Sequence, residues 1–281
     1  MIVLKQKQEV SNYTATCKLN NKKVGFVATM GALHQGHLSL IQFAKKENDV
    51  VVCSIFINPL QFNDKNDFDK YPKTLSADLT LLESQGCDVV FVPDVEEMYA
   101  SEDATQFDFG KLDKVMEGVF RPGHFLGMAK VVKRLFDCVQ PHTAYFGEKD
   151  FQQLAIIRKF TADLHLPVRI VGVPIMRETD GLAMSSRNTL LSANERVAAS
   201  AIYRTLLEAQ QMAFKHPVET VKQFVLTKIN HIPGFRLEYF EIADAEELQP
   251  TNHWNTVKPL MGFIVVRVGT VRLIDNIRLN N

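Results

Sequence analysis

Two histidines, His34 and His37, stand three residues apart with Gly36 between them, and they follow the apolar run Val24 to Thr29. That run has the composition of a buried strand and breaks at Met30-Gly31. Beyond the histidines Leu38, Ile41 and Ala44 recur at helical spacing, so a helix is predicted from near His37. A glycine-interrupted turn between a strand and a helix N-terminus offers main-chain N–H groups and the positive end of a helix dipole. That combination suits an anion, above all a phosphate, and two imidazoles add donors. Taken alone, the pair is equally compatible with an incidental spacing or with half of a metal site. No GxxxxGK[ST] sequence occurs, so P-loop chemistry is not a competitor. A second junction of the same kind follows the short strand Thr143 to Phe146, where Gly147, Glu148, Lys149, Asp150, Gln152 and Gln153 arrive together. Between these lies Asp49 to Ile57, a nearly continuous apolar run of the kind found in a parallel strand covered on both faces, followed by Asn58, Pro59 and Gln61.

The elements that must carry these groups alternate strand and helix through the first 175 or so residues, as a wound α/β sheet requires. A helix is expected over Thr74 to Gln85, a strand over Val89 to Val92, a helix over Phe125 to Cys138, and a last strand over Val168 to Val173. Residues 62 to 72 read as a long loop, and residues 94 to 124 as irregular and polar, with Glu117 to His124 the notable cluster. A boundary is expected at Pro174 to Gly181. The fold class is therefore α/β: a Rossmann-like parallel-sheet domain over 1–176, and a smaller α+β domain over 177–281. In the latter, Ser192 with Glu195 fits a capping box, and three strands, Phe235 to Ala243, Met261 to Val268 and Val271 to Ile277, follow two helices. The 281 residues carry 32 basic and 32 acidic side chains, a formal charge of zero that argues against a nucleic-acid partner. The start, MIVLKQKQEV, holds no cleavable apolar segment, and no run approaches the roughly 20 residues that span a bilayer, so a soluble, cytoplasmic protein without a membrane partner is expected. Cys17, Cys53, Cys87 and Cys138 are scattered singly, without zinc or redox spacing, and are expected as reduced thiols.

HxGH after a strand resembles the HIGH-type signature of the nucleotidyltransferase superfamily. Six ordered segments narrow the resemblance to the pantothenate synthetase (pantoate–β-alanine ligase) family over essentially the whole chain: TMGALHQGH, FINPLQF, YPKTLSAD, RPGHF, YFGEKDFQQL and RETDGLAMSSRN. That likeness implies a two-step ligation in which pantoate carboxylate attacks the α-phosphorus of ATP, and the amine of β-alanine then displaces AMP from the pantoyl adenylate. It places His37 and His34 at the chemistry, with His37 as proton donor to the leaving pyrophosphate. It places ATP against Met30, Gly31, Ala32, Leu33, His34, Gln35, Gly36, His37, Gly147, Glu148, Lys149 and Asp150, and against Met176, Met184, Ser185, Ser186 and Arg187 of a segment similar to KMSKS. Lys149 and Arg187 supply permanent positive charge, and the two serines hydroxyl donors. Gln61 and Gln153 carry the pantoate contacts, through amides that donate and accept without placing a charge beside the reacting carboxylate. Mg²⁺ is implied by the triphosphate, with Asp78 as an indirect contributor to its site. The family also implies a homodimer, and because Ser185, Ser186 and Arg187 lie just past the boundary and can reach the phosphates only if the C-terminal domain sits over the cleft, that domain is expected to act as a lid.

Some positions depart from the family pattern: Ala28 stands where proline is usual, Lys73 for arginine, Ala77 for an acidic residue, Lys130 for threonine and Met176 for a smaller residue. Ala28 loosens the turn before Met30, and Met176 alters packing against the adenine. The nearest rival is another adenylyl-transferring enzyme of the superfamily. Glutamines rather than a basic cluster at 61 and 153 favour a carboxylate over a phosphorylated substrate. A nucleotide sensor on the same fold would need affinity but no donor to a leaving group, which His37 would be.

Overall fold

The computed structural model describes residues 1–63, 68–69 and 71–280, so residues 64–67 and 70 of the expected 62–72 loop lie outside it. The chain divides into two compact units. The first comprises Met1–Phe109, Phe120–Glu148 and Gln153–Pro174. It contains six parallel strands: β1 (Ile2–Leu4), β2 (Val24–Thr29), β3 (Val50–Ile55), β4 (Val89–Phe91), β5 (Thr143–Gly147) and β6 (Arg169–Val173), in the order β1-β4-β3-β2-β5-β6. The apolar runs form β2 and β3 because every residue of β3, and all but Ala28 of β2, is buried. Val27, Ile41, Val51, Cys53, Leu82, Val90 and Tyr145 form one core cluster.

Strand order sets where a ligand can lie. From β2 the chain winds outward through β3 to β4, and then returns to place β5 on the other side of β2, in register Gly25 to Thr143 and Val27 to Tyr145. The winding reverses between β2 and β5, and a crevice opens at the carboxyl ends of strands at such a switch point. Both strand-to-helix junctions singled out by their side chains leave from these two strands.

Two stretches hold elements that the sequence pattern does not mark. Strand β1, at the edge of the sheet, and the helix Lys7–Leu19 precede the first strand that the apolar pattern marks. Three partly exposed residues are too few to show a period. Within 94–124 there is a helix, Val95–Tyr99, whose first turn is set by the Asp94 carboxylate accepting the Glu97 N–H at 2.7 Å, and a shorter one, Glu117–Phe120.

The second unit comprises Gly110–Val119, Lys149–Gln152 and Ile175–Asn281. An antiparallel sheet in the order β7-β8-β9, formed by β7 (Phe235–Asp244), β8 (Leu260–Val268) and β9 (Val271–Arg278), packs with the helices Ala201–Met212 and Val218–Asn230. The capping box expected at Ser192 and Glu195 starts the Ala193–Ala199 helix. Two short pieces from earlier in the chain belong here because buried polar groups tie them in. Gln152 donates to the Leu112 and Val115 carbonyls at 2.6 and 2.9 Å and accepts the Glu117 N–H at 3.1 Å. The Glu117 carboxylate receives both Arg272 Nη groups, at 2.7 and 2.5 Å, and the Tyr239 hydroxyl at 2.9 Å, while Arg272 Nε reaches Glu238 at 2.8 Å. Arg267 Nε donates to the other Glu238 oxygen at 3.0 Å, so two guanidinium groups balance the two carboxylates and burial leaves no charge uncompensated. All four cysteines are buried and free, and among the described residues no helix is long and apolar enough to cross a membrane.

One glycine couples the Pro59–Gln61 turn after β3 to the helix His124–Val139. A Cβ on Gly127 would lie 2.1 Å from the Leu60 carbonyl oxygen, a main-chain atom with no rotamer to yield. Gly127→Ala should therefore lower stability by about 1–3 kcal/mol, the scale of overpacking, in urea denaturation. An unchanged midpoint would contradict this close packing.

Candidate active site

The turn after β2 is held from below. Gly31 (φ +81°) and Ala32 (φ +50°) take left-handed conformations that reverse the chain and turn successive N–H groups inward. Asp78, in the first turn of the helix Leu75–Ser84 and 2 % exposed, receives them: Ala32 N–H at 3.0 Å on Oδ2 and Leu33 N–H at 2.8 Å on Oδ1. Thr74 Oγ1 donates to Oδ2 at 3.1 Å. Asp78, expected beside a metal, thus has both oxygens bonded to the turn. Among the described residues no group of three histidine, cysteine, aspartate or glutamate side chains is arranged to hold an ion.

The next helix is Gln35–Glu47, two residues earlier than the periodicity predicts, because His34 is its N-cap. Its Nδ1 accepts the Gly36 N–H at 3.1 Å, and His37 Nδ1 accepts the His34 N–H at 3.4 Å, a reciprocal arrangement with the logic of a capping box. The two rings lie 4.1 Å apart, centroid to centroid, at 39°. A nitrogen that accepts a main-chain N–H carries no proton, so in each neutral ring the hydrogen resides on Nε2. Both histidines are thereby made donors on their outer edges, at a helix N-terminus. No side-chain pattern in the sequence marks His34 as a cap, since histidine is not among the usual capping residues.

A buried amide cluster follows β3. Asn58, fully buried, accepts the Leu60 N–H at 3.2 Å and the Tyr99 hydroxyl at 2.7 Å on Oδ1. Its Nδ2 donates to the Gly127 carbonyl at 3.1 Å and to Gln61 Oε1 at 3.2 Å. Gln61 Nε2 in turn donates to Met30 Sδ at 2.9 Å, which brings Gln61 to the turn after β2. Its main-chain carbonyl meets His124 Nδ1 at 2.8 Å. Burial pushes the Tyr99 hydroxyl up to about 12, with Arg134 pulling the other way, so it keeps its proton and acts as a donor. Asn58, Tyr99 and His124 support Gln61, and no sequence motif assigns any of them that role.

Strand β5 ends at Gly147, where an added Cβ would meet no protein atom within 4 Å. The fold itself does not require glycine there, whereas close approach by a ligand would. Glu148–Asp150 forms a 3-10 turn into the helix Phe151–Asp163, which carries the half-buried Gln153. Of the two adjacent glutamines, Gln152 is spent on the second unit's main chain. In that unit the Lys149 carbonyl accepts from Asn276 Nδ2 at 3.0 Å. Met184 N–H bonds to the Met176 carbonyl at 3.0 Å, closing a hairpin whose turn uses Gly181 at φ +91°. Arg177 braces the hairpin through a bidentate pair with buried Asp275, at 2.7 and 3.0 Å, and lies 3.7 Å over the Tyr203 ring. Ser185 then caps the turn Ser186–Leu190, its Oγ accepting the Arg187 N–H at 3.2 Å. Each unit therefore gathers its own share of the expected site: the histidine turn, Gln61, Asp78, Gly147, Glu148 and Gln153 in the first; Lys149, Asp150, Met176 and Met184 to Arg187 in the second.

Asp78→Asn tests the support beneath the turn. The amide has one acceptor oxygen and must set its NH₂ against Ala32 or Leu33 N–H. Stability should fall by about 1–3 kcal/mol, the cost of a buried donor left unmatched, and a variant that melts with the parent protein would remove Asp78 from this role.

The family model described as pantoate-beta-alanine ligase matches residues 2–278. Pantothenate synthetases from Bacteroides fragilis (strain YCH46) and Aquifex aeolicus (strain VF5) are 54% and 46% identical to this chain, over 93% and 98% of both partners. The crystal structure of pantothenate synthetase from Thermus thermophilus superposes with a TM-score of 0.91 at 43% identity, covering 100% of each chain. A pantoate-beta-alanine ligase from Francisella tularensis, solved with beta-gamma ATP and beta-alanine, gives 0.83 at 34% identity over 99% of this chain and 98% of its own. With a reversed-winding parallel sheet, a histidine-capped turn at its switch point and this likeness over nearly every residue, the chain belongs to the pantoate–β-alanine ligase family.

Proposed function

We infer that this chain condenses (R)-pantoate with β-alanine to give pantothenate at the expense of ATP, releasing AMP and pyrophosphate. The observation that carries the reading is the turn at the end of β2, where Asp78 and reciprocal capping hold His34 and His37 as Nε2–H donors at a helix N-terminus. Family membership names the substrates, and the Francisella tularensis relative was solved with beta-gamma ATP and beta-alanine.

In the first step a pantoate carboxylate oxygen attacks the α-phosphorus and the bond to the bridging oxygen breaks. Negative charge collects on the departing pyrophosphate. Donors already aimed at that charge lower the barrier without reorganising during the reaction. His37 and His34 supply them, His37 as the proton donor, while the N–H groups of Ala32, Leu33, His34 and Gly36 are taken up by Asp78 and the two Nδ1 atoms and only shape the turn. Gln61 and Gln153 hold pantoate so that its carboxylate faces phosphorus, a matter of orientation rather than charge. Lys149, Ser185, Ser186 and Arg187 meet the triphosphate, and Gly147 with Asp150 takes the ribose; the open space at Gly147 suits that role. In the second step the β-alanine nitrogen attacks the carbonyl carbon of pantoyl adenylate, and AMP leaves.

Mg²⁺ enters with ATP as part of the substrate. Asp78 belongs to this reading as an indirect contributor to the metal site, on the strength of the family likeness; its own oxygens bond the Ala32 and Leu33 N–H groups. The lid role of 177–281, the homodimer and the cytoplasmic location belong to this reading.

Nothing in the arrangement needs β-alanine for the first step. Pantoate with Mg·ATP alone should support exchange of labelled pyrophosphate into ATP, and His37→Ala should slow that exchange by about 10²-fold or more, the scale of one lost donor. Exchange that appears only after β-alanine is added would rule out a free acyl adenylate.

A further inference from the structure

Gln61 can serve a carboxylate substrate in two ways, as a donor through Nε2 or as an acceptor through Oε1, and the cluster behind it decides which. Main-chain groups fix the amide of Asn58: the Leu60 N–H can only donate, so it faces Oδ1 at 3.2 Å, and the Gly127 carbonyl can only accept, so it faces Nδ2 at 3.1 Å. The second Nδ2 hydrogen then goes to Gln61 Oε1 at 3.2 Å. With its oxygen engaged, Gln61 turns its NH₂ outward, and one N–H meets Met30 Sδ at 2.9 Å. Gln61 is thereby oriented as a donor toward substrate.

Oδ1 of Asn58 has one more partner, the Tyr99 hydroxyl at 2.7 Å, the shortest bond of the cluster. Leu60 belongs to the same short turn as Asn58 and moves with it. Tyr99 comes from elsewhere, the last residue of the helix Val95–Tyr99, and is itself braced. Its ring faces Phe56 at 6.3 Å, and Arg134 lies 5.2 Å over it while donating to the Met98 and Ser101 carbonyls at 3.0 and 2.6 Å. We propose that Tyr99 is a positioning residue for the carboxylate substrate, acting through Asn58 to hold Gln61 as a hydrogen-bond donor. The proposal rests on the pantoate role given to Gln61 above.

Tyr99→Phe removes the hydroxyl and keeps the ring between Phe56 and Arg134. The KM for pantoate should rise about three- to tenfold, the range that one hydrogen bond spans, while the KM for ATP stays within error. In a double-mutant cycle with Gln61→Ala, which should itself raise the pantoate KM, the Tyr99 change should have no further effect, because its route to substrate is gone. A purely structural tyrosine would lower the melting temperature and raise all KM values alike, or act equally in both backgrounds; either result overturns the proposal, as does an unchanged pantoate KM in Tyr99→Phe. If Gln61→Ala leaves the pantoate KM unaltered, the failure lies with the Gln61 assignment beneath it.

Discussion

The carboxylate of Asp78 is the constraint on which the histidine turn depends. Residues 30 to 33 must reverse direction at the end of a buried strand, with Gly31 and Ala32 at positive φ, and their N–H groups then point away from any ladder partner. A buried, hydrogen-bonded carboxylate satisfies two of them and gains charge-assisted bonds in doing so. Its position on the first turn of the helix Leu75–Ser84 ties the turn to a rigid element that packs through Leu82 into the same core as β2 and β3. Glycine at 31 has a second reason: a Cβ there would come within 3.0 Å of Asp78 Oδ2.

From that support the donors follow by hydrogen-bond arithmetic. Each histidine spends its Nδ1 on a main-chain N–H, and its proton is left on the other nitrogen. The same logic recurs after β3, where main-chain groups fix the Asn58 amide and Asn58 fixes Gln61. Function in this unit rests on satisfied polar networks whose polarity is set by groups that cannot flip. The second unit uses charge for a comparable purpose. Glu117, Arg272 and Glu238 hold 110–119 to the C-terminal sheet, and Arg177 with Asp275 braces the hairpin that leads to Ser185.

Periodicity made much of this legible. The apolar runs of β2 and β3 and the stripe over the helix His124–Val139 carry enough residues for period and burial to agree, and β7, β8 and β9 lie within one residue of their predicted ends. Two short, partly exposed elements were not legible. Strand β1 has three residues, and Val95–Tyr99 has five whose start is set by the Asp94 cap rather than by an apolar face. The motif residues announced themselves by type and order, Asn58 and His124 among them, but their support of Gln61 did not, and Tyr99 stands in no motif. Asn58, Tyr99 and His124 come from three separate elements and meet only in the fold. The family likeness picks Gln153 over its neighbour Gln152, whose amide the fold spends on the Leu112 and Val115 carbonyls.

Capping fixes the protonation geometry of His34 and His37, and the chemistry assigned to them depends on it. Nitrogen-15 chemical shifts of the imidazole rings, in protein labelled at histidine and assigned with single His→Gln variants, read this directly. Both rings should hold the Nε2–H tautomer at neutral pH, with each Nδ1 shifted as an acceptor. An Nδ1–H tautomer at either residue would mean that its cap is not formed and that the donors do not face outward, and the mechanism built on them would fall.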